Sequence, residues 1–177
     1  MPPTSKHGCD HIFFIGFLGA GKSTLARNLG VMFKRRFVDT DRLVVRRAGK
    51  TVTEIFETEG EARFRELETS ALASLEHDRS LLVSCGGGIV ETPRNIDLMH
   101  AMGTCVYLEG DFCDSMRQIR RSDTRPDFRS PEHAARLLDH RRPLYLKAAD
   151  ITIDIRDKSF EDVSYICAEK LLERGLL

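Results

Sequence analysis

The stretch IFFIGFLGAGKSTL, residues 12 to 25, constrains the chain more than any other. Its apolar run stops at a glycine-punctuated loop that ends in Lys22-Ser23-Thr24. Ile12 to Ile15 read as a buried strand and Leu25 to Phe33 as a helix, so the loop joins a strand to a helix N-terminus. Gly16, Gly19 and Gly21 lack a Cβ, which lets the backbone take left-handed dihedrals and turn several N–H groups toward phosphate oxygens. The helix adds the positive end of its dipole. The fixed positions of G-x-x-x-x-G-K-[ST] are all filled, by Gly16, Gly21, Lys22 and Ser23. Such a loop holds a nucleoside triphosphate, with Lys22 reaching the β- and γ-phosphates and the Ser23 hydroxyl on Mg2+. The bland alternative, a glycine-rich turn with a chance Lys-Ser, does not call for the strand and helix on either side.

The rest of the chain alternates strand and helix with short connections. Helices are expected over Ser23 to Arg36, over 42 to 48 before Gly49, and twice between Thr51 and Glu76, meeting near Gly60 with Thr51 or Thr53 as a cap. Others start at Thr92-Pro93 and Ser130-Pro131, each a capping side chain followed by proline. The first of these closes near Met102-Gly103, and the second is expected to end at Arg142 because Pro143 follows. Residues 111 to 121 and Phe160 to Arg174 complete the set. Lys34-Arg35-Arg36 reads as a basic last turn of the first helix. Strands are expected at Phe37-Val38, Leu81 to Val83, Thr104 to Leu108 and Ile151 to Ile155. With the first strand these make an α/β three-layer sandwich around a central five-stranded parallel sheet. In such a sheet ligands lie beyond the carboxyl ends of the strands, so the loops there are where function is sought.

Composition narrows the partners. Lys+Arg and Asp+Glu both number 27, a net charge of +0, and no global field points to nucleic acid or an acidic membrane. No apolar run approaches the roughly 20 residues that span a bilayer, and the start MPPTSKHGCD lacks the apolar core of a signal peptide. Cys9, Cys85, Cys105, Cys113 and Cys167 are odd in number, with no C-x-x-C. They suggest neither a disulfide framework nor a zinc site. Cys85 lies beside a glycine run but reads as a small core residue. The expectation is a cytoplasmic monomer without nucleic-acid or membrane partners, with residues 1–10 a loose tail and 11–177 one domain.

Unusual residues fall in the loops after the strands. Asp39 and Asp41 stand two apart at a strand end, one able to serve near Mg2+ and one near a hydroxyl to be phosphorylated, although either could simply cap the helix over 42 to 48. Arg65, within RFRELE, has Glu61, Glu66 and Glu68 as ordinary ion-pair partners. Gly86, Gly87 and Gly88 would let a flat backbone approach a ligand. Arg117, Arg120, Arg121, Arg125 and Arg129 form either a solvated basic surface or a lid over the triphosphate.

Taken together, GFLGAGKST, FVDTDRLVVRRAGKTVTEIFETEGEARFRELE, SCGGGIV, TRP in a basic loop, RRPLY and ADITIDI resemble the shikimate kinases, in order and at similar spacing over residues 11 to 155. The resemblance implies a P-loop kinase fold with strand order 2-3-1-4-5. It implies ATP and Mg2+, with Gly19, Ala20, Gly21, Lys22, Ser23 and Thr24 on the phosphates and Asp39 toward the metal through water. By resemblance Asp41 contacts the hydroxyls of shikimate and orients or accepts the proton of the 3-hydroxyl. Arg65 and Arg141 clamp the shikimate carboxylate with Gly86, Gly87 and Gly88 lining the pocket, Arg125 reaches the phosphates, and Arg117 stacks on adenine. A lid at about 118–130 and a substrate-binding helical region at about 42–76 follow from the same likeness. Pro126 precedes Asp127-Phe128 where the family usually has two leucines. Two other readings share the phosphate loop: a different small-molecule kinase of this fold, such as a gluconate kinase, and a nucleotide-binding regulatory module without turnover.

Overall fold

The structure, a computed structural model, describes residues 8–119 and 130–177, and for residues 114 and 117–119 the backbone alone. Five parallel strands form one sheet in the order β2-β3-β1-β4-β5. They are β1 (His11–Ile15), β2 (Phe37–Asp39), β3 (Leu82–Ser84), β4 (Gly103–Glu109) and β5 (Ile151–Asp154). The α-helices are α1 (Lys22–Met32), α2 (Thr40–Ala48), α3 (Val52–Thr58), α4 (Gly60–Ala73), α5 (Pro93–Met102), α6 (Phe112–Ile119), α7 (Pro131–Ala148) and α8 (Phe160–Glu173). The expected sheet and its order are both present.

Strand periodicity builds the layers. Successive side chains of a strand point to opposite faces, so Phe13 and Ile15 of β1 join one core while Ile12 and Phe14 join the other. In β4, Cys105 and Tyr107 face the first core, and Val106 and Leu108 the second. The first is covered by α5 and α7 through Met99, Met102, Leu138 and Tyr145. The second is covered by α1 and α8 through Leu25, Leu29, Val163 and Leu171. A separate small cluster, Val44, Ile55, Phe64 and Ala71, holds α2, α3 and α4 together.

Two expected helix ends are corrected. The first helix closes at Met32 rather than Arg36: Phe33 N–H donates to Leu29 O, Arg35 N–H reaches back to Gly30 O, and Lys34 takes φ 54°. This is a Schellman stop with lysine where glycine is usual, so the basic triplet lies past the helix. The helix expected to end at Arg142 runs on through Pro143 to Ala148. Proline inside a helix costs about 3 kcal/mol. Here the turn beyond it buries Tyr145 and Ala148 fully, with Tyr145 stacked on Tyr107 at 5.1 Å, and that packing outweighs the cost. Thr51 and Ser130 cap as expected, whereas the Thr92 side chain makes no capping bond and its carbonyl accepts from Asn95 N–H.

Among the described residues no helix is long and apolar enough to cross a membrane. Cys9, Cys85, Cys105 and Cys167 are buried, as read for core cysteines, and Cys113 is exposed. His100, Cys105 and Asp150 lie together at the amino-terminal end of β4, away from the phosphate loop. Each of the three has a structural duty there. His100 Nε2 bonds Ala148 O, Asp150 Oδ2 accepts from Cys105 N–H, and burial pushes the Cys105 thiol well up.

Candidate active site

The loop after β1 has the backbone its glycines allow. Gly16, Gly19 and Gly21 take φ of 146°, 80° and 82°. Gly21 occupies the N-cap of α1, whose first turn carries no acidic residue of its own, so the helix sets no carboxylate against an anion at its N-terminus. Lys22 is buried and its Nζ donates to Gly16 O and Phe17 O, each at 2.8 Å, drawing the loop around its own ammonium group.

Sheet register brings two further strand ends beside that loop. Asp39 of β2 is paired with Ser84 of β3, and Ser84 with Phe14 of β1. The Ser23 hydroxyl donates to Asp39 Oδ2 at 2.9 Å and lies 2.9 Å from Ser84 Oγ. Three hard oxygen donors at the start of α1 suit Mg2+, which prefers oxygen ligands. Asp39 also caps α2, its Oδ1 accepting from Arg42 N–H. Of the two aspartates it is therefore Asp39 that caps, and α2 starts at Thr40 rather than at 42. Asp41 lies inside the first turn.

The glycine turn after β3 is where the remaining side chains meet. A Cβ on Gly86 would come within 2.4 Å of Asp41 Oδ1, and one on Gly88 within 2.3 Å of Arg65 Nη1. One on Gly87 would sit 3.5 Å from Arg141 Nη1. None of the three glycines has positive φ. Close approach, not turn geometry, favours glycine at 86 and 88, because a side chain there would displace Asp41 or the Arg65 guanidinium. Thr40, fully buried, fixes this arrangement by accepting from Gly86 N–H at 3.0 Å. Tyr145 OH donates to Gly87 O from the other side.

Arg65 has the ion pairs its spacing suggested, to Glu61 at 3.1 Å and Glu68 at 3.0 Å. Burial acts to lower its pKa, but the two carboxylates outweigh burial and hold it above the usual value. Glu68 has a side chain only 1% exposed. Burial pushes its carboxyl up to about 7, against the pull of Arg65 and with the help of nearby Asp41. Arg65 Nε and Glu68 Oε1 are buried without a hydrogen-bond partner among the described residues. Buried polar atoms are seldom left so, and Glu68 Oε1 lies close to Gly86 at the glycine turn. Arg141, 2% exposed, donates through Nε to Glu91 Oε1 at 2.8 Å.

The structure thus brings Asp39, Asp41, Arg65, Gly86, Gly87, Gly88 and Arg141 to the carboxyl edge of the sheet beside Gly16 to Thr24. Arg125 and the lid, apart from its two ends, lie outside the described residues, and so does the Arg117 side chain. Sequence reasoning named Glu68 only as an ordinary ion-pair partner of Arg65 and passed over Thr40, Ser84, Glu91 and Tyr145 as site residues. Position at the end of β3 could have pointed to Ser84. Spacing to Arg65 pointed to Glu68 as a partner but not to its burial, and the other three carry no signal before the fold is known.

The five-stranded parallel sheet with its phosphate-binding loop, beside a turn where carboxylates and arginines meet, defines the P-loop kinase class. The shikimate kinase family model matches residues 18–171. The shikimate kinase of Geobacter sulfurreducens is 40% identical over 156 residues, 86% of either chain. That of Dehalococcoides mccartyi is 35% identical over 156 residues, 87% of this chain and 89% of the relative. Among solved structures, a shikimate kinase from Acinetobacter baumannii in complex with shikimate superposes with a TM-score of 0.88 at 32% identity, covering 94% of this chain and 95% of that one. The chain belongs to the shikimate kinase family, and it is an ATP-dependent kinase.

Proposed function

We infer that the chain transfers the γ-phosphoryl group of ATP to the 3-hydroxyl of shikimate, giving shikimate 3-phosphate and ADP. The observation that carries this reading is the meeting of Asp41, Arg65 and Arg141 on one glycine turn beside the phosphate loop. A carboxylate and two guanidinium groups along one glycine turn suit a hydroxylated carboxylic acid: the planar forks take the acid and the aspartate takes hydroxyls.

Phosphoryl transfer passes through a loose transition state, so the protein contributes mainly position and charge. Gly19, Ala20, Gly21 and Thr24 offer backbone N–H groups to the phosphates. Lys22 exchanges the carbonyls of Gly16 and Phe17 for β- and γ-phosphate oxygens. Ser23, and Asp39 through water, would hold Mg2+, which when bound draws charge from the phosphates. Asp41 orients the 3-hydroxyl and accepts its proton as the O–P bond forms. On the family resemblance Arg125 neutralises the moving phosphoryl group from the lid, and Arg117 packs on adenine. The same reading takes α2 to α4 as the shikimate-binding region and the chain as a cytoplasmic monomer.

Asp41→Asn tests the assignment. Steady-state turnover of shikimate should fall about a hundredfold or more, with ATP affinity, read by nucleotide titration, unchanged. Turnover near that of the parent protein would remove Asp41 from the chemistry.

A further inference from the structure

Arg141 needs more than its place on α7 to present a fixed fork. Its side chain crosses from that helix to the glycine turn, and a long flexible chain loses affinity for every orientation it can leave. Two contacts pin α7 to the turn. Tyr145, one helical turn beyond Arg141, donates to Gly87 O. Arg141 Nε donates to Glu91 Oε1.

Glu91 is itself fixed to the glycine turn. It ends the short 3-10 segment Ile89–Glu91, and its N–H donates to Gly88 O at 3.0 Å. The second carboxylate oxygen, Oε2, lies 3.0 Å from His140 Nε2, so the carboxylate plane is held from both sides. Burial acts to raise the Glu91 pKa, but the bonds from Arg141 and His140 outweigh it and keep the group below the usual carboxylate range. Glu91 is therefore an anion at neutral pH, a rigid acceptor built into the frame that carries Gly86, Gly87 and Gly88.

We propose that Glu91 is a positioning residue for substrate binding: it takes the Nε edge of Arg141 and so turns the terminal nitrogens to the pocket over Gly87. Resting on the assignment of Arg141 to the shikimate carboxylate, this explains why an acidic side chain stands beside a site for an acid. Glu91 holds the Nε edge and so sets the angle of the guanidinium, whose Nη1 lies at the glycine turn beside Gly87. Arginine serves two carboxylates in this way because its five donors lie on different edges of one plane.

Steady-state kinetics of Glu91→Ala and Glu91→Gln test the proposal. Glu91→Ala should raise the shikimate KM about tenfold, the lower end of what a hydrogen bond to a charged group is worth, with kcat and the ATP KM within about twofold of the parent. Glu91→Gln keeps an oxygen that accepts from Nε and should recover most of the affinity. A merely structural residue would lower the melting temperature and leave the shikimate KM alone. That result, or equal rises in both KM values, overturns the proposal. A parent protein that ignores shikimate overturns the proposed function and this inference with it. A parent that uses shikimate, with the KM unchanged in both variants, overturns this inference alone.

Discussion

Glu68, which the sequence shows only as an ordinary ion-pair partner of Arg65, takes its character from burial. Its folded pKa of about 7 lies above the ordinary 4.5 because burial penalises the ionised form. The folded protein therefore binds this proton more tightly than the unfolded chain. The stability that follows is present in full below pH 4.5 or so and is lost as the pH rises through about 7. Glu68→Gln has no such proton to lose. In urea denaturation its stability relative to the parent should improve steadily between pH 5 and pH 8, while parallel profiles would show that Glu68 is not buried as a neutral acid. Asp41, Arg65 and Arg141 were legible because their sequence contexts are distinctive. Thr40, Glu68 and Glu91 are ordinary residues whose roles arise from what the fold puts next to them.

At the scale of elements, most boundaries were legible where a backbone rule forces them and misplaced where packing overrides the rule. Thr51 and Ser130 cap their helices. Pro143 does not end α7, since the buried turn beyond it is worth more than the lost bond. The first helix ends four residues short of the expected Arg36: basic residues suit a helix end, and nothing local reveals that Lys34 is left-handed. That conformation costs an L-residue about 1–2 kcal/mol. Part of this cost is removed by Lys34→Gly, which should stabilise the protein by about 0.5–1 kcal/mol after the extra chain entropy of glycine is counted. A raised melting temperature with unchanged kinetics is expected. A lowered one would mean that the Lys34 side chain contributes more than its backbone costs.

For the molecule as a whole, the alternation of strand and helix was enough to give the layers. The sheet order came from the family resemblance, not from periodicity, because period 2 says which face a residue occupies and nothing about which strand lies beside it. Order decides the site. With β3 between β2 and β1, Asp39, Ser84 and Ser23 become neighbours, and the glycine turn after β3 lies against the phosphate loop. The acceptor pocket is thus a property of topology.

The most direct measurement is ADP release by the purified protein with Mg2+ and ATP, offered shikimate, gluconate or no acceptor. Release that depends on shikimate, with gluconate no better than the blank, is the predicted result. Release that is the same with and without shikimate, or that follows gluconate instead, would contradict the account.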